Sequence, residues 1–144
     1  MSPRKTPRHR APVPLPIWLL AGALALAVVY RFGVAPAQAQ NHPDPRPGVT
    51  SAGMLSGSSF AGYPAVERIY DEARQIPQVL DGLYCHCGCK EHEGHRSLLS
   101  CFQTAHGAGC EVCLQEAEMA FRMHGSGAGL AEIRDAVDQA FAAP

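Results

Sequence analysis

The chain has 144 residues, with six cysteines, seven histidines and a formal net charge of −1. The charges are unevenly distributed, because five of the twelve basic residues precede Gln40 and all thirteen acidic residues follow it. The part after Gln40 therefore carries a net charge of −6 with neutral histidines. Since nucleic acid selects basic faces, this acidic part argues against a nucleic-acid partner.

The first 39 residues have the features of a targeting segment. Basic residues between positions 4 and 10 precede an uncharged apolar run at 17–30, and Ala37-Gln38-Ala39 fits a small-x-small cleavage pattern. The run is shorter than the roughly 20 residues that span a bilayer, so a cleaved signal peptide is predicted at 1–39. The alternative is an uncleaved signal anchor, with membrane association through residues 17–30. In both cases the rest of the chain is expected to be exported, in a periplasmic or other extracytoplasmic location, because the positive flank precedes the apolar run.

Residues 40–62 are rich in proline, glycine and serine and lack periodic apolar positions. This composition predicts a flexible linker. The folded domain is then predicted at 63–144. A domain of this size buries a modest core and is commonly stabilised by a metal or by disulfides.

Apolar residues recur at helical spacing in the folded part. Helices are predicted over 64–76, 95–104, 110–124 and 130–141. Residues 77–83 predict a short helical turn, and residues 84–94, with two glycines and no period, predict a loop. Because no segment shows the alternation of a strand, the predicted fold is all-α, a small array of about four helices around a cysteine-rich loop.

The six cysteines all lie between residues 85 and 113. They are Cys85, Cys87, Cys89, Cys101, Cys110 and Cys113. Four histidines share this window: His86, His92, His95 and His106. Cys110 is predicted at a helix start, where free N–H groups stabilise a thiolate, and Cys113 is predicted on the same helical face. Cys101 is predicted on the inner face of the preceding helix, so three elements could direct sulfur to one point.

One interpretation of this pattern is a metal site. Clustered thiolates and imidazoles suit the soft or borderline ions Cu(I) and Zn(II). Because a structural zinc takes four ligands, the surplus of donors favours either two ions or a thiolate-bridged Cu(I) cluster.

Two other interpretations stay open. An even number of cysteines in an exported domain is typical of a disulfide-stapled interaction module, although bridges within the C-x-C-x-C run would be strained. A helix-start pair, Cys110 and Cys113, would suit a thiol–disulfide oxidoreductase, although no βαβ pattern surrounds it. No Ser/His/Asp set, phosphate loop or pair of carboxylates is recognisable, so a binding protein is predicted rather than an enzyme.

Several polar residues are predicted to have no part in the site. His42 in the linker, His92, His124 and Glu116 are expected to be solvated. Met119 and Met123 share a helical face and are expected to lie in the core rather than to serve as thioether ligands.

Three stretches resemble those of the bacterial exported proteins that are named for a PCYCGC motif. They are YCHCGC at 84–89, GHRSLLSCF at 94–102 and HGAGCEVC at 106–113. The resemblance extends from about Pro64 through the last predicted helix. Tyr84 stands where the family name has proline, and His86 where it has tyrosine. Many relatives look like lipoproteins, whereas this chain has no cysteine at the signal site.

The resemblance implies that the six cysteines act as one constellation with His95 and His106 beside it, but the family is largely uncharacterised. We therefore predict an exported helical protein that binds Cu(I) or Zn(II) for storage, delivery or structural stabilisation. His95 and His106 are the predicted auxiliary ligands, and His86 could extend the site.

Overall fold

A computed structural model describes residues 42–142 of the chain. These residues contain no strand, which confirms the all-α prediction. The α-helices are α1 (Pro64–Ala73), α2 (Pro77–Asp81), α3 (Cys89–Glu93), α4 (Leu98–Phe102), α5 (Glu111–Gly125) and α6 (Leu130–Phe141). Three short 3₁₀ turns lie at Ser51–Gly53, Gly57–Phe60 and Ala105–Gly109. The predicted targeting segment at 1–39 lies outside the described residues.

Within the described residues, no helix has the length and hydrophobicity needed to cross a bilayer. The apolar run at 17–30, on which the signal-anchor alternative depends, is not among them.

A short helix, α3, occupies part of the stretch that was predicted to be a loop. Gly88 precedes it with a φ of 78° and Gly94 follows it with a φ of 66°. Glycine adopts this left-handed conformation without steric cost, so the two glycines start and stop a single helical turn. The turn directs Cys89, its first residue, into the interior.

The core draws buried residues from α1, α2, α4, α5 and α6, and Tyr70 of α1 is fully buried in it. The ring of Tyr70 lies 4.2 Å from that of Phe60 and 4.8 Å from that of Phe102, measured between centroids. Its hydroxyl donates a hydrogen bond of 2.9 Å to the carbonyl oxygen of Thr104. This bond ties α1 to the turn after α4, a region that carries several of the predicted ligands.

Residues 42–62 pack onto the helices. The Leu55 N–H donates to the carbonyl oxygen of Phe102 at 3.0 Å, and Met54 is buried. The guanidinium of Arg74 donates to the carbonyl oxygen of Met54 at 2.6 Å. From His42 onward, therefore, this segment belongs to the folded domain and differs from the flexible linker that its composition predicts.

Candidate metal centre

Four cysteine sulfurs form a compact group, with all of them within 4.8 Å of one another: Cys85, Cys87, Cys89 and Cys113. The Cys85 sulfur lies 3.2 Å from that of Cys87 and 3.5 Å from that of Cys113. Cys87 and Cys113 are 3.5 Å apart. We call these four residues the thiol group.

The thiol group combines a loop with a distant helix. Cys85 and Cys87 lie in the loop between α2 and α3, Cys89 begins α3, and Cys113 lies in the first turn of α5. The Leu98 N–H donates to the carbonyl oxygen of Leu83 at 2.9 Å, which fixes the start of this loop against α4. The sulfurs therefore meet through the tertiary fold, across 28 positions between Cys85 and Cys113.

The spacing of the sulfurs fits a coordinated ion. In a tetrahedral site with metal–sulfur bonds of about 2.3 Å, neighbouring sulfurs are about 3.8 Å apart. Three pairs of sulfurs in the thiol group are separated by 3.2 to 3.5 Å. A small outward movement of side chains would therefore accommodate an ion. All six cysteines lie among the described residues and all are free thiols, so no disulfide is formed.

Cys89 also belongs to a second group, with His95 and His106, whose ligand atoms lie within 4.8 Å of one another. The Nε2 atom of His106 is 3.0 Å from the Cys89 sulfur. The two imidazole rings meet edge to face, with centroids 5.0 Å apart. We call these three residues the histidine group.

Cys101 lies between the two groups. Its sulfur is 3.8 Å from that of Cys85 and 3.2 Å from Nδ1 of His95. The structure thus brings together seven of the eight residues predicted as ligands.

Cys110 is the eighth predicted ligand, and it belongs to neither group. It is half-buried at the N-cap of α5 with an extended backbone, φ −121° and ψ 109°. The helical spacing rule therefore does not fix the direction of its side chain relative to Cys113. The Cys113 sulfur lies 3.5 Å from those of Cys85 and Cys87, which weakens the hypothesis of a Cys110–Cys113 redox pair.

The protonation of the thiol group is uneven. The Cys85 sulfur accepts hydrogen bonds from the thiols of Cys101 and Cys113, and these bonds lower its pKa. Burial raises the pKa of Cys87 and of Cys89, and the negative charge of Cys85 adds to both shifts. The group therefore favours one thiolate among neutral thiols until a cation compensates the charge.

A buried polar network supports the cysteine loop from behind. The main-chain N–H of His86 donates to Oε1 of Glu116 at 2.9 Å, and Nδ1 of its ring lies 2.6 Å from the same oxygen. Nε2 of His86 lies 3.0 Å from Oδ1 of Asp138. His42 completes the network through both nitrogens of its ring. Nε2 lies 3.0 Å from Oδ1 of Asp138, and Nδ1 accepts a hydrogen bond of 2.9 Å from the Tyr84 N–H. The network holds the main chain on both sides of Cys85.

His86 therefore contacts carboxylates with both ring nitrogens, in place of extending the ligand set. Burial lowers its pKa, but the hydrogen bonds and charges of Glu116 and Asp138 outweigh burial and raise it. Glu116 is fully buried, and burial raises its pKa to about 7 against the opposing effect of His86. Its Oε2 atom has no hydrogen-bond partner among the described residues.

The predictions of solvated positions for His42 and Glu116 are thus wrong. The side chain of His42 is 8% exposed and that of Glu116 is 0% exposed. For Glu116 the sequence held a signal, because it lies three positions after Cys113 and so on the same helical face. Met119 and Met123 are half-buried and pack against the core, as predicted.

The fold and the site together define an all-α protein with a buried cysteine and histidine cluster that could hold a metal ion. Residues 51–143 match the model of a family described as proteins of unknown function with a PCYCGC motif. The chain belongs to this family, as the resemblance of its motifs indicated. Neither a curated protein nor a solved structure matches the chain significantly.

Proposed function

We propose that this protein is an exported binder of a soft metal ion, Cu(I) or Zn(II), which it stores or delivers. The ligands of the primary site are the four cysteines of the thiol group. The observation that carries the proposal is the convergence of these unpaired sulfurs from separate parts of the chain, with separations down to 3.2 Å.

The energetics of the cluster favour a cation. Four buried or half-buried sulfurs in contact cannot all ionise, because each new thiolate repels the others in a medium of low dielectric constant. A bound ion removes this repulsion and ligates the thiolates directly. Thiolate donors select Cu(I) and Zn(II) over the hard ions Mg²⁺ and Ca²⁺.

Export rests on the N-terminal pattern of basic residues followed by an apolar run. In an oxidising compartment, free thiols at contact distance would be expected to form disulfides unless an ion occupied them. Metal binding accounts for how the cluster would persist as thiolates there.

The test is intact mass with metal analysis on the full chain, purified from its own compartment anaerobically and without reductant or chelator. We expect near-stoichiometric copper or zinc that dissociates on acidification and leaves all six thiols free for alkylation. A metal-free protein lighter by the hydrogens of three disulfides would overturn the proposal and support a disulfide-stapled module. A loss of one hydrogen pair that a mild dithiol restores would instead support the oxidoreductase.

Metal affinity is expected to fall as the pH falls. Since burial raises the pKa of Cys87 and Cys89 in the metal-free protein, both thiols must release a proton when the ion binds. At pH values below these raised pKa values, each proton released on binding weakens the apparent affinity about tenfold for every unit by which the pH falls. Competition titrations with Zn²⁺ at pH 6, 7 and 8 measure this slope, and a pH-independent affinity would contradict thiolate coordination.

A further inference from the structure

We infer that the histidine group, Cys89 with His95 and His106, holds a second metal ion beside the one in the thiol group. The two ions would share the Cys89 thiolate as a bridge. This inference rests on the proposed function and deepens it, because it assigns the histidines to a separate position with its own ligand class.

The two groups together hold more donors than one ion can use. A tetrahedral ion uses four ligands, and the thiol group supplies four by itself. The two histidines then remain as donors that the first ion does not need. Both lie within 4.8 Å of the Cys89 sulfur when the nearest ligand atoms are compared.

The imidazoles of His95 and His106 each direct a nitrogen to a sulfur. His106 directs Nε2 to the sulfur of Cys89 at 3.0 Å, and His95 directs Nδ1 to the sulfur of Cys101 at 3.2 Å. His86 differs, because both of its ring nitrogens contact carboxylates. The two histidines of the group are therefore placed for ligation beside sulfur, whereas His86 is placed for support.

Cys89 is the residue that the two groups share. It is 3% exposed and belongs to both groups, so its sulfur lies within 4.8 Å of the other ligand atoms of each group. A thiolate has enough lone pairs to ligate two ions. Its negative charge would also reduce the repulsion between two cations held close together.

The two positions differ in their exposure to solvent. Cys113 is fully buried, whereas His95 and His106 are half-buried. A position with three protein ligands also leaves a fourth one open to water or to a donor from another molecule. The second ion would therefore exchange before the first, and this side of the centre is where an ion enters or leaves.

The test is an anaerobic titration of the reduced full chain with Zn²⁺, repeated with Co²⁺ as a spectroscopic probe. We expect about two ions per wild-type chain and about one in His106→Ala. The thiolate-to-cobalt charge-transfer band of the first ion should remain in this variant. The matched control is His92→Ala, which changes an exposed histidine of α3 that lies in neither group and should keep both ions.

The outcomes separate this inference from the proposed function. One ion in the wild type and one in His106→Ala, with unchanged affinity, would overturn the second position and leave the thiol group intact. One ion in the wild type that His106→Ala weakens would also overturn it, because His106 would then ligate the first ion. No bound ion in the wild type would overturn the proposed function itself. A chelator should remove one of the two wild-type ions in a fast phase and the other in a slow phase. Loss of the fast phase in His106→Ala would support the inference.

Discussion

Cys87→Ser is expected to weaken binding of the first ion by more than roughly 100-fold, since even the loss of a residue that merely orients a ligand costs 10- to 100-fold. The sulfur of Cys87 lies 3.2 Å from that of Cys85 and 3.5 Å from that of Cys113. Serine is nearly isosteric, but its hydroxyl is a hard, weakly acidic donor that a soft ion does not select. Competition with a chromophoric chelator, for Zn²⁺ and for Cu(I), measures the affinity.

Cys87 is the best position for this test because it is half-buried, whereas Cys113 is fully buried and its replacement would also disturb the core. The matched control is Cys110→Ser, which removes a half-buried cysteine outside both groups. We expect this variant to keep wild-type affinity. If Cys110→Ser weakened binding as much as Cys87→Ser, or if neither did so, the assignment of the thiol group would be wrong.

The helices were largely predictable, because each carries its own local signals. The last helix, α6, spans Leu130–Phe141 as its apolar period predicts, and Pro77 separates α1 from α2. The convergence of the C-x-C-x-C loop on α5 was also predictable, since Cys113 lies on the buried stripe of an amphipathic helix. Short glycine-bounded turns such as α3 are harder to predict, since five residues are too few to show a period.

Cys110 shows why spacing alone was insufficient. Two residues three apart share a helical face only if both are helical. Cys110 is the N-cap, with a ψ of 109°, so the rule does not fix the direction of its side chain. Helix boundaries are the least certain feature of a sequence pattern, and here Cys110 lies one residue before the helix begins.

The supporting network could not be predicted from periodicity. His42 and Asp138 meet across 96 positions, and neither carries a local signal for the other. A histidine in a proline-rich segment is ordinarily solvated, and it is buried here because the segment folds back onto the helices. The composition of a segment indicates how that segment behaves in isolation. It carries no information on contacts with residues that are distant in the sequence, such as that between His42 and Asp138.

Asp81→Asn is expected to destabilise the domain by about 3 kcal/mol, the low end of the cost of breaking a buried ion pair, because both of its guanidinium partners are partly exposed. The buried carboxylate accepts from Nη2 of Arg46 at 2.8 Å, from Nη1 of Arg96 at 3.0 Å and from the main-chain N–H of Arg46 at 2.7 Å. An amide keeps the shape but loses the charge and one acceptor. Urea unfolding of the metal-free full chain measures the change in the free energy of unfolding. In a thermal scan, the expected drop in Tm exceeds roughly 10 °C.

The pH dependence of the difference in stability between wild type and Asp81→Asn shows whether the charge of Asp81 is responsible for it. Burial alone would raise the pKa of Asp81, but the hydrogen bonds and charges of Arg46 and Arg96 outweigh burial and lower it. A lowered pKa in the folded state contributes stability above the unfolded pKa of about 3.9, and this contribution is lost as the pH falls through the folded value. The gap between wild type and Asp81→Asn should therefore be full at pH 6 and should shrink below about pH 4. Asp135→Asn, at an exposed position on α6, is the control and should change stability by less than about 0.5 kcal/mol. A gap that persists unchanged into acid would show that the hydrogen-bond acceptor lost in the amide, and not the charge of Asp81, accounts for the loss of stability.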